Sequence, residues 1–392
     1  MNKSYETIIT LLNSFIFNKA FSIDENVSWK EIYYYSKIHN IAGIIGHVIN
    51  TFYDNCETLN DRTRLRFKDQ AIKDFGKMSL RFDQGAFVSH ELSKNNIDHV
   101  VLKGYVLRNY YPVKELRVFG DVDFLIHTED RTKSDEIMKK LGFEQTHNWE
   151  PSYAYKKSIS CIEIHTDLFD TDISANFRVK QFFNNNIYHN TNLVHDHCYE
   201  FNKETHITFL IAHIAKHCST SGAGIKMFLD LALLIHNEHD IDWGTIEINL
   251  HQMGMWHFSS FVFRLLKELF LIDIPVSIDN IEKDEFDIFV NYIFEAGSFG
   301  QYKRDIGAVQ LVNDNSSKMS AIIHSFFPTA KTIEKRYTYL SKYPYLLPVA
   351  WIHRAVLNSK KLKSFFRKNQ KVLTADTSET KRLKNIRTMI GL

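Results

Sequence analysis

The sequence predicts an α+β protein: a small mixed β-sheet set between helical N- and C-terminal segments. Three features of the chain point to it. Apolar residues recur at the helical three-to-four spacing before residue 95 and again after residue 200. Six Pro and 15 Gly in 392 residues are few, which fits long helices with short connections better than a β-sandwich. Between the helical stretches, His99–Leu102 and Phe124–Ile126 are short apolar runs of strand type.

Taken in order, Trp29–Ile49 has helical spacing, and Ile72, Phe75, Phe82 and Ala86 continue the period through a second helix. Asn95-Asn96 breaks it. His99–Leu102 is a strand closed by Lys103-Gly104. Tyr105–Tyr111 is helical in pattern and stops at Pro112, because the residue before proline avoids the helical region. Arg117–Ile126 is the second strand. Arg131–Leu141 is a helix that Gly142 ends. Tyr153–Tyr155 and Ser160–Phe169 are further strands. The order α-β-α-β-α-β-β suggests helices packed on one sheet. Thr205–Cys218, Lys226–His236, Met255–Leu271 and Phe286–Ala296 are helices. Gly297–Ser317, rich in Gly, Asn and Ser, is a loop. Ala321–Phe327, Thr332–Leu340 and Val349–Phe366 resume the helical pattern. Residues 1–84 form an N-terminal helical segment, 85–200 a core, and 201–392 a C-terminal helical domain with a basic tail.

Composition excludes several classes. Hydrophobic residues make up 44% and charged residues 24% of the chain, ordinary for a folded protein. A net charge of +2 gives no support for a protein that coats nucleic acid. The basic run is local: Lys360, Lys361, Lys363, Arg367, Lys368 and Lys371 have no acid between them. A solvated face accounts for it, and contact with an anionic partner is the alternative. Cys56, Cys161, Cys198 and Cys218 form no CxxC pair, so they read as free thiols. No apolar run reaches the length of a membrane span, and no signal-peptide core follows Met1. A cytoplasmic location is expected. Met253, Met255, Trp256, Phe258, Phe261 and Phe263 read as core. Tyr345 and Trp351 suit an aromatic docking helix better than a membrane-surface one.

The chemistry concentrates at Gly120-Asp121-Val122-Asp123. Residues two apart on a strand share a face, so Asp121 and Asp123 would stand side by side. Two carboxylates held that close call for a cation, and Mg²⁺ takes one or two carboxylates plus substrate phosphates. Glu163, two residues before His165 on the next strand, is the third carboxylate, with Asp167 competing. It completes a metal site, takes the proton of an attacking hydroxyl, or belongs to the polar outer face of an amphipathic strand. Lys103-Gly104 opens a helix whose N–H groups suit phosphate. Arg117 either binds a triphosphate or neutralises the aspartates. His213, Lys216 and His217 share a helix face, as do Lys226 and Asp230. Such a cluster either contacts the nucleotide or the acceptor, or consists of structural polar residues under a helical cap. His213 and His217 also have zinc spacing, but no glutamate follows the first and no third ligand is evident.

Leu102-Lys103-Gly104, Leu107, Tyr110-Tyr111-Pro112, Arg117 and Gly120–Ile126 resemble the signature of the uncharacterised nucleotidyltransferase family, within the DNA polymerase β-like superfamily. Glu163-Ile164-His165, His213–His217, Lys226–Asp230 and Tyr343–Arg354 extend the resemblance from about residue 28 to 360. It implies a nucleotidyltransferase-type sheet in which Asp121, Asp123 and Glu163 hold Mg²⁺ or Mn²⁺. Lys103, Gly104, Arg117, Gly120, His165, His213, Lys216, His217 and Asp230 would attend the nucleotide. The implied activity is transfer of an NMP from an NTP, ATP included, to an unidentified acceptor hydroxyl, with release of pyrophosphate. A small-molecule acceptor leads over a macromolecule. Two other readings stand beside it: a toxin-like or regulatory enzyme acting on RNA or protein, and a non-catalytic nucleotide-binding module. One position departs from the superfamily, where the turn is Gly-Ser or Gly-Gly. Here it is Gly104-Tyr105, with no small hydroxyl.

Overall fold

The structure is a computed structural model. It describes residues 2–392 except 25, 170–172, 174–176, 187, 221, 298–310, 313–316, 335, 336, 338 and 358–368. Four helices come first: α1 (Lys3–Phe17), α2 (Trp29–Ile38), α3 (Ala42–Phe52) and α4 (Asp61–Lys94). The side chains of Asn2, Ser28 and Asn60 each accept from one of the free N–H groups at the starts of α1, α2 and α4. The chain then alternates through β1 (His99–Leu102), α5 (Gly104–Leu107), β2 (Val122–Ile126) and α6 (Arg131–Lys140). β3 (Glu144–Trp149), β4 (Ser152–Lys157) and β5 (Ser160–His165) follow, then α7 (Val179–Asn186), β6 (Thr191–His195) and β7 (Cys198–Phe201). Helices α8 (Lys203–Thr220), α9 (Ile225–Asn237), α10 (Trp243–Gln252), α11 (Trp256–Glu268) and α12 (Lys283–Ala296) come next. Lys318–Phe326, Leu347–Leu357 and Thr377–Met389 are later helices.

The architecture is α+β. All seven strands form one mixed sheet, in the order β3-β4-β5-β2-β1-β7-β6. β1 and β2 are antiparallel, while β2 pairs in parallel with β5. Alternation along these strands sorts their side chains onto two faces. Val101, Val122, Phe124, Ile126, Ile162 and Ile164 pack with Met78, Val88 and Leu92 of α4 and Ile137 and Met138 of α6. Val100, Leu102 and Leu125 join the larger core on the other face. That core is built from α1 and α3 together with α8, α9, α11 and α12. Met253, Met255, Phe258, Phe261 and Phe263 are buried in it.

Several elements differ from the sequence reading. The expected strand Arg117–Ile126 is regular only from Val122, so Asp121 precedes the strand. Arg117 is drawn aside by Asp230, and the Phe119 N–H goes to Met78 Sδ, so neither can join a ladder. The expected helix Tyr105–Tyr111 is one α-turn and a 3₁₀ turn at Arg108–Tyr110. The strand from Ser160 ends at His165, not Phe169. β3, β6, β7 and α10 were not expected. The Thr332–Leu340 helix is two short pieces, Ala330–Ile333 and Tyr339–Lys342. Of the expected loop Gly297–Ser317, 298–310 and 313–316 lie outside the described residues. So do 358–366 of the last expected helix and Lys360, Lys361, Lys363, Arg367 and Lys368 of the basic tail. Trp351 turns inward, donating to the Pro328 carbonyl at 2.8 Å, while Tyr345 is exposed. No helix among the described residues is long and apolar enough to cross a membrane.

Candidate active site

The in-register pairing of β2 with β5 sets Asp123 beside Glu163, and both point to the face away from α4. His165, two residues on, shares that face. His165 Nε2 lies 2.9 Å from Asp123 Oδ1 and 3.5 Å from Glu163 Oε2. Asp123, Glu163 and His165 each offer one ligand atom, all within 4.8 Å of one another. Asp121 is not in this group, although it lines the same cavity.

That cavity measures about 1000 Å³. All twelve residues singled out from the sequence line it: Lys103, Gly104, Arg117, Gly120, Asp121, Asp123, Glu163, His165, His213, Lys216, His217 and Asp230. The sheet supplies the acidic wall. α8 and α9 supply the opposite wall, with His213, Lys216 and His217 from one and Lys226 and Asp230 from the other.

Lys103 is the hinge between β1 and α5. Its backbone sits at φ 51°, ψ −127°, outside the regions a lysine favours. Such a conformation costs about 1–3 kcal/mol. Two contacts hold it: Leu107 N–H donates to its carbonyl at 2.9 Å, and its Nζ meets Asp123 Oδ1 at 2.5 Å. Lys103 thus stands on a carboxylate rather than free for phosphate. Burial alone would raise the Asp123 carboxyl, yet Lys103 and His165 hold it well below the usual carboxylate range. Asp121 goes the other way. Repulsion from Asp123, with burial added, lifts it to about 6. The pair carries more negative charge than its surroundings neutralise, which is the chemistry of a cation site.

Arg117 binds neither aspartate of the pair. Its Nε and Nη2 donate to Asp230 Oδ1 and Oδ2 at 2.9 and 2.5 Å, both side chains almost wholly buried. Tyr111, which was not anticipated, donates to Asp230 Oδ1 at 2.6 Å. Lys226 Nζ donates to the Val118 carbonyl at 2.6 Å. Burial and the charge of Arg117 lower the Lys226 ammonium to about 7. The sequence grouped Lys226 with Asp230 on one helix face, and both line the cavity. On α8, burial keeps His213 far below its ordinary value and lowers His217 to about 4, so both are neutral imidazoles. Their rings meet edge to face at 4.6 Å. Neither belongs to the ligand group. Arg81 of α4 also lines the cavity, as do Tyr337 and Arg354 from the C-terminal segment. None of the four cysteines is in a disulfide.

Glycine is required at the turn. A Cβ on Gly104 would come within 2.7 Å of Arg117 Nη1 and of Phe119 Cβ. Tyr105 points to the other side of the sheet. Its ring stacks on Phe82 with centroids 5.1 Å apart, and it fills the space left by Gly85, whose Cβ would reach Tyr105 Cε2 at 2.7 Å.

No curated protein and no solved structure matches the chain significantly. The family described as uncharacterised nucleotidyltransferase matches residues 25–271, from before α2 to just past α11. The wall formed by Tyr337 and Arg354 lies beyond that match. With the Lys-Gly turn, the paired aspartates and the acidic-x-His strand all inside the matched region, the chain belongs to the uncharacterised nucleotidyltransferase family.

Proposed function

We propose that the chain transfers a nucleoside monophosphate from an NTP to an acceptor hydroxyl, releasing pyrophosphate. The 85–200 core would supply the acidic floor, and the helices of 201–392 the wall facing it. One observation carries the reading: Asp121, Asp123, Glu163 and His165 converge on a cavity whose other wall bears Lys216 and Lys226.

The donor set fits a hard divalent cation. Carboxylate oxygens with one imidazole suit Mg²⁺ or Mn²⁺. An ammonium already sits 2.5 Å from Asp123, and Asp121 is starved of countercharge. Asp121, Asp123 and Glu163 would hold the cation, with His165 beside them. The chemistry a cation supplies in such a site is neutralisation of the triphosphate and polarisation of the acceptor oxygen.

The chain's own residues account for the rest. The acceptor oxygen bonds to the α-phosphorus as the bond to the bridging oxygen of pyrophosphate breaks. The acceptor proton goes to the Glu163 carboxylate, whose side chain keeps 28% exposure and so can pass it to solvent. His165 Nε2, bridging Asp123 and Glu163, fixes their orientation. Lys216 and Lys226 face the phosphates with positive charge. The neutral His217 presents Nδ1 without a partner, a group suited to a hydrogen bond with phosphate or acceptor.

Calorimetry with each NTP and Mn²⁺ or Mg²⁺ tests the reading. Wild type should bind, and Asp121→Asn/Asp123→Asn should not. Glu163→Gln, less buried, should still bind nucleotide but incorporate no label from α-labelled NTP into any acceptor. Absence of nucleotide binding by the wild type would overturn the reading and leave a relict fold.

A further inference from the structure

Arg117 invites assignment as a phosphate ligand, being a cation on the wall of a nucleotide-sized cavity. Its contacts say otherwise. Nε and Nη2 are both committed to the Asp230 carboxylate, at 2.9 and 2.5 Å. Nη1 donates to its neighbour's carbonyl, Val118 O, at 2.8 Å. The two side chains keep only 8% and 4% exposure. Burial would lower the guanidinium's pKa, yet Asp230 outweighs burial and raises it. Withdrawing Arg117 to a phosphate would leave Asp230 buried without its charge partner, which is strongly unfavourable.

The loop this pair holds is the one that carries Asp121. Val118–Asp121 has no ladder of its own and is fixed by side chains from two directions. From α9, Lys226 donates to the Val118 carbonyl, which Arg117 shares. From α4, Arg81 donates to the Phe119 carbonyl, and Met78 Sδ accepts the Phe119 N–H at 3.2 Å. Arg117 also packs on Gly104, where no Cβ would fit. One ion pair therefore locks three parts of the site together: the Lys-Gly turn, the loop before β2, and α9.

We propose that Arg117, locked on Asp230, is a positioning residue that sets Asp121 beside Asp123, and that it binds no phosphate. The inference rests on the metal-site reading above. It makes Asp230 and Tyr111 parts of the same device, since Tyr111 Oη fixes Asp230 Oδ1 from the far side.

The test uses Mn²⁺ alone, without nucleotide, on the full-length protein. Free Mn²⁺ is followed by electron paramagnetic resonance in wild type, Arg117→Lys, Asp230→Asn and the double variant. Circular dichroism at the assay temperature checks that each is folded. Arg117→Lys keeps the charge but loses the two-pronged contact. Each single variant should weaken Mn²⁺ binding by about tenfold, the usual loss when a group orienting a ligand is removed. The double variant should be no worse than the weaker single one within about twofold, because both changes break one device. The bound-Mn²⁺ spectrum should change in the same way in all three, which loss of overall stability in a folded sample would not produce. If Asp230→Asn fails to fold, Tyr111→Phe decides, with an expected loss of about threefold from one hydrogen bond. Wild-type Mn²⁺ affinity in the variants would overturn the inference. So would Mn²⁺ affinity kept while nucleotide affinity, measured separately by calorimetry, falls in Arg117→Lys, because Arg117 would then be a phosphate ligand. Failure of the wild type itself to bind Mn²⁺ would instead remove the metal-site reading, and this inference with it.

Discussion

Two glycines in the candidate site offer a matched experiment. Gly104 and Gly120 both line the cavity. A Cβ on Gly104 would lie 2.7 Å from Arg117 Nη1 and from Phe119 Cβ, whereas one on Gly120 would meet nothing within 4 Å. Ordinary contact begins near 3.4 Å, so Ala at 104 forces a shift of about 0.7 Å (3.4 against 2.7). Neither neighbour yields readily. Arg117 is bound on Asp230, and Phe119 is held through its own backbone. Overpacking of this kind costs about 1–3 kcal/mol. Gly120→Ala carries no such cost and gains up to about 1 kcal/mol by restricting the unfolded chain. At about 2 °C per kcal/mol for a large domain, Gly104→Ala should melt roughly 2–8 °C below Gly120→Ala. Thermal unfolding followed by circular dichroism reads the difference. Equal midpoints, or a higher one for Gly104→Ala, would refute the packing of Arg117 on the turn.

Further outcomes follow from the charges. Lys103→Met removes the ammonium that competes for Asp123, so Mn²⁺ alone should bind roughly fivefold more tightly, the equivalent of ~1 kcal/mol for a partly exposed ion pair. Unchanged or weaker Mn²⁺ affinity in this variant would count against that competition. Asp121 sits above its ordinary 3.8, at about 6. Its contribution to stability is therefore present below 3.8 and lost as pH rises through about 6. Mn²⁺ should accordingly raise the melting midpoint more at pH 7 than at pH 5, and Asp121→Asn should flatten that dependence. Lys226, lowered to about 7, is largely neutral at pH 8. A triphosphate beside it would raise its pKa, so NTP binding at pH 8 should take up a proton. Calorimetry in two buffers of different ionisation enthalpy should then give different heats, and Lys226→Met should give the same heat in both.

The parts of the fold visible in the sequence are those set by local period. The buried strands β1 and β2 announced themselves as apolar runs, and β5 alternates apolar with polar, so the shared face of Glu163 and His165 was legible. β3 and β6 were not. Both are edge strands, and β6 is mostly exposed, so neither carries an apolar pattern. The twelve residues named from the sequence all line one cavity, but the contacts among them were not legible. Nothing local joins Arg117 to Asp230 or Tyr111 to Asp230, each more than 110 residues apart. The sequence placed Asp121 in the strand with Asp123, whereas the strand begins one residue later. That offset is the work of side chains from α4 and α9, which the spacing of β2 cannot reveal. His165 enters the ligand group for a similar reason: its ring reaches across the ladder to Asp123.

The departure at Gly104-Tyr105 has a physical account. A Gly-Ser turn in this place would offer a small hydroxyl to phosphate. Here that position is spent on packing. The Tyr105 ring leaves the cavity side, stacks on Phe82 and fills the notch that Gly85 opens in α4. Burial raises its hydroxyl to about 12, so it stays protonated and takes no part in acid–base chemistry at neutral pH. The cavity therefore has no hydroxyl to lose at this turn, and no bulk to exclude a ligand either. On the proposed function, the positive charge beside the phosphates would come from the facing wall, where Lys216 of α8 and Lys226 of α9 lie. A turn poor in donors is compatible with phosphate chemistry when the opposite wall is cationic. On that reading the chemistry would depend on α9 staying seated against the loop before β2, to which the buried Arg117–Asp230 pair holds it.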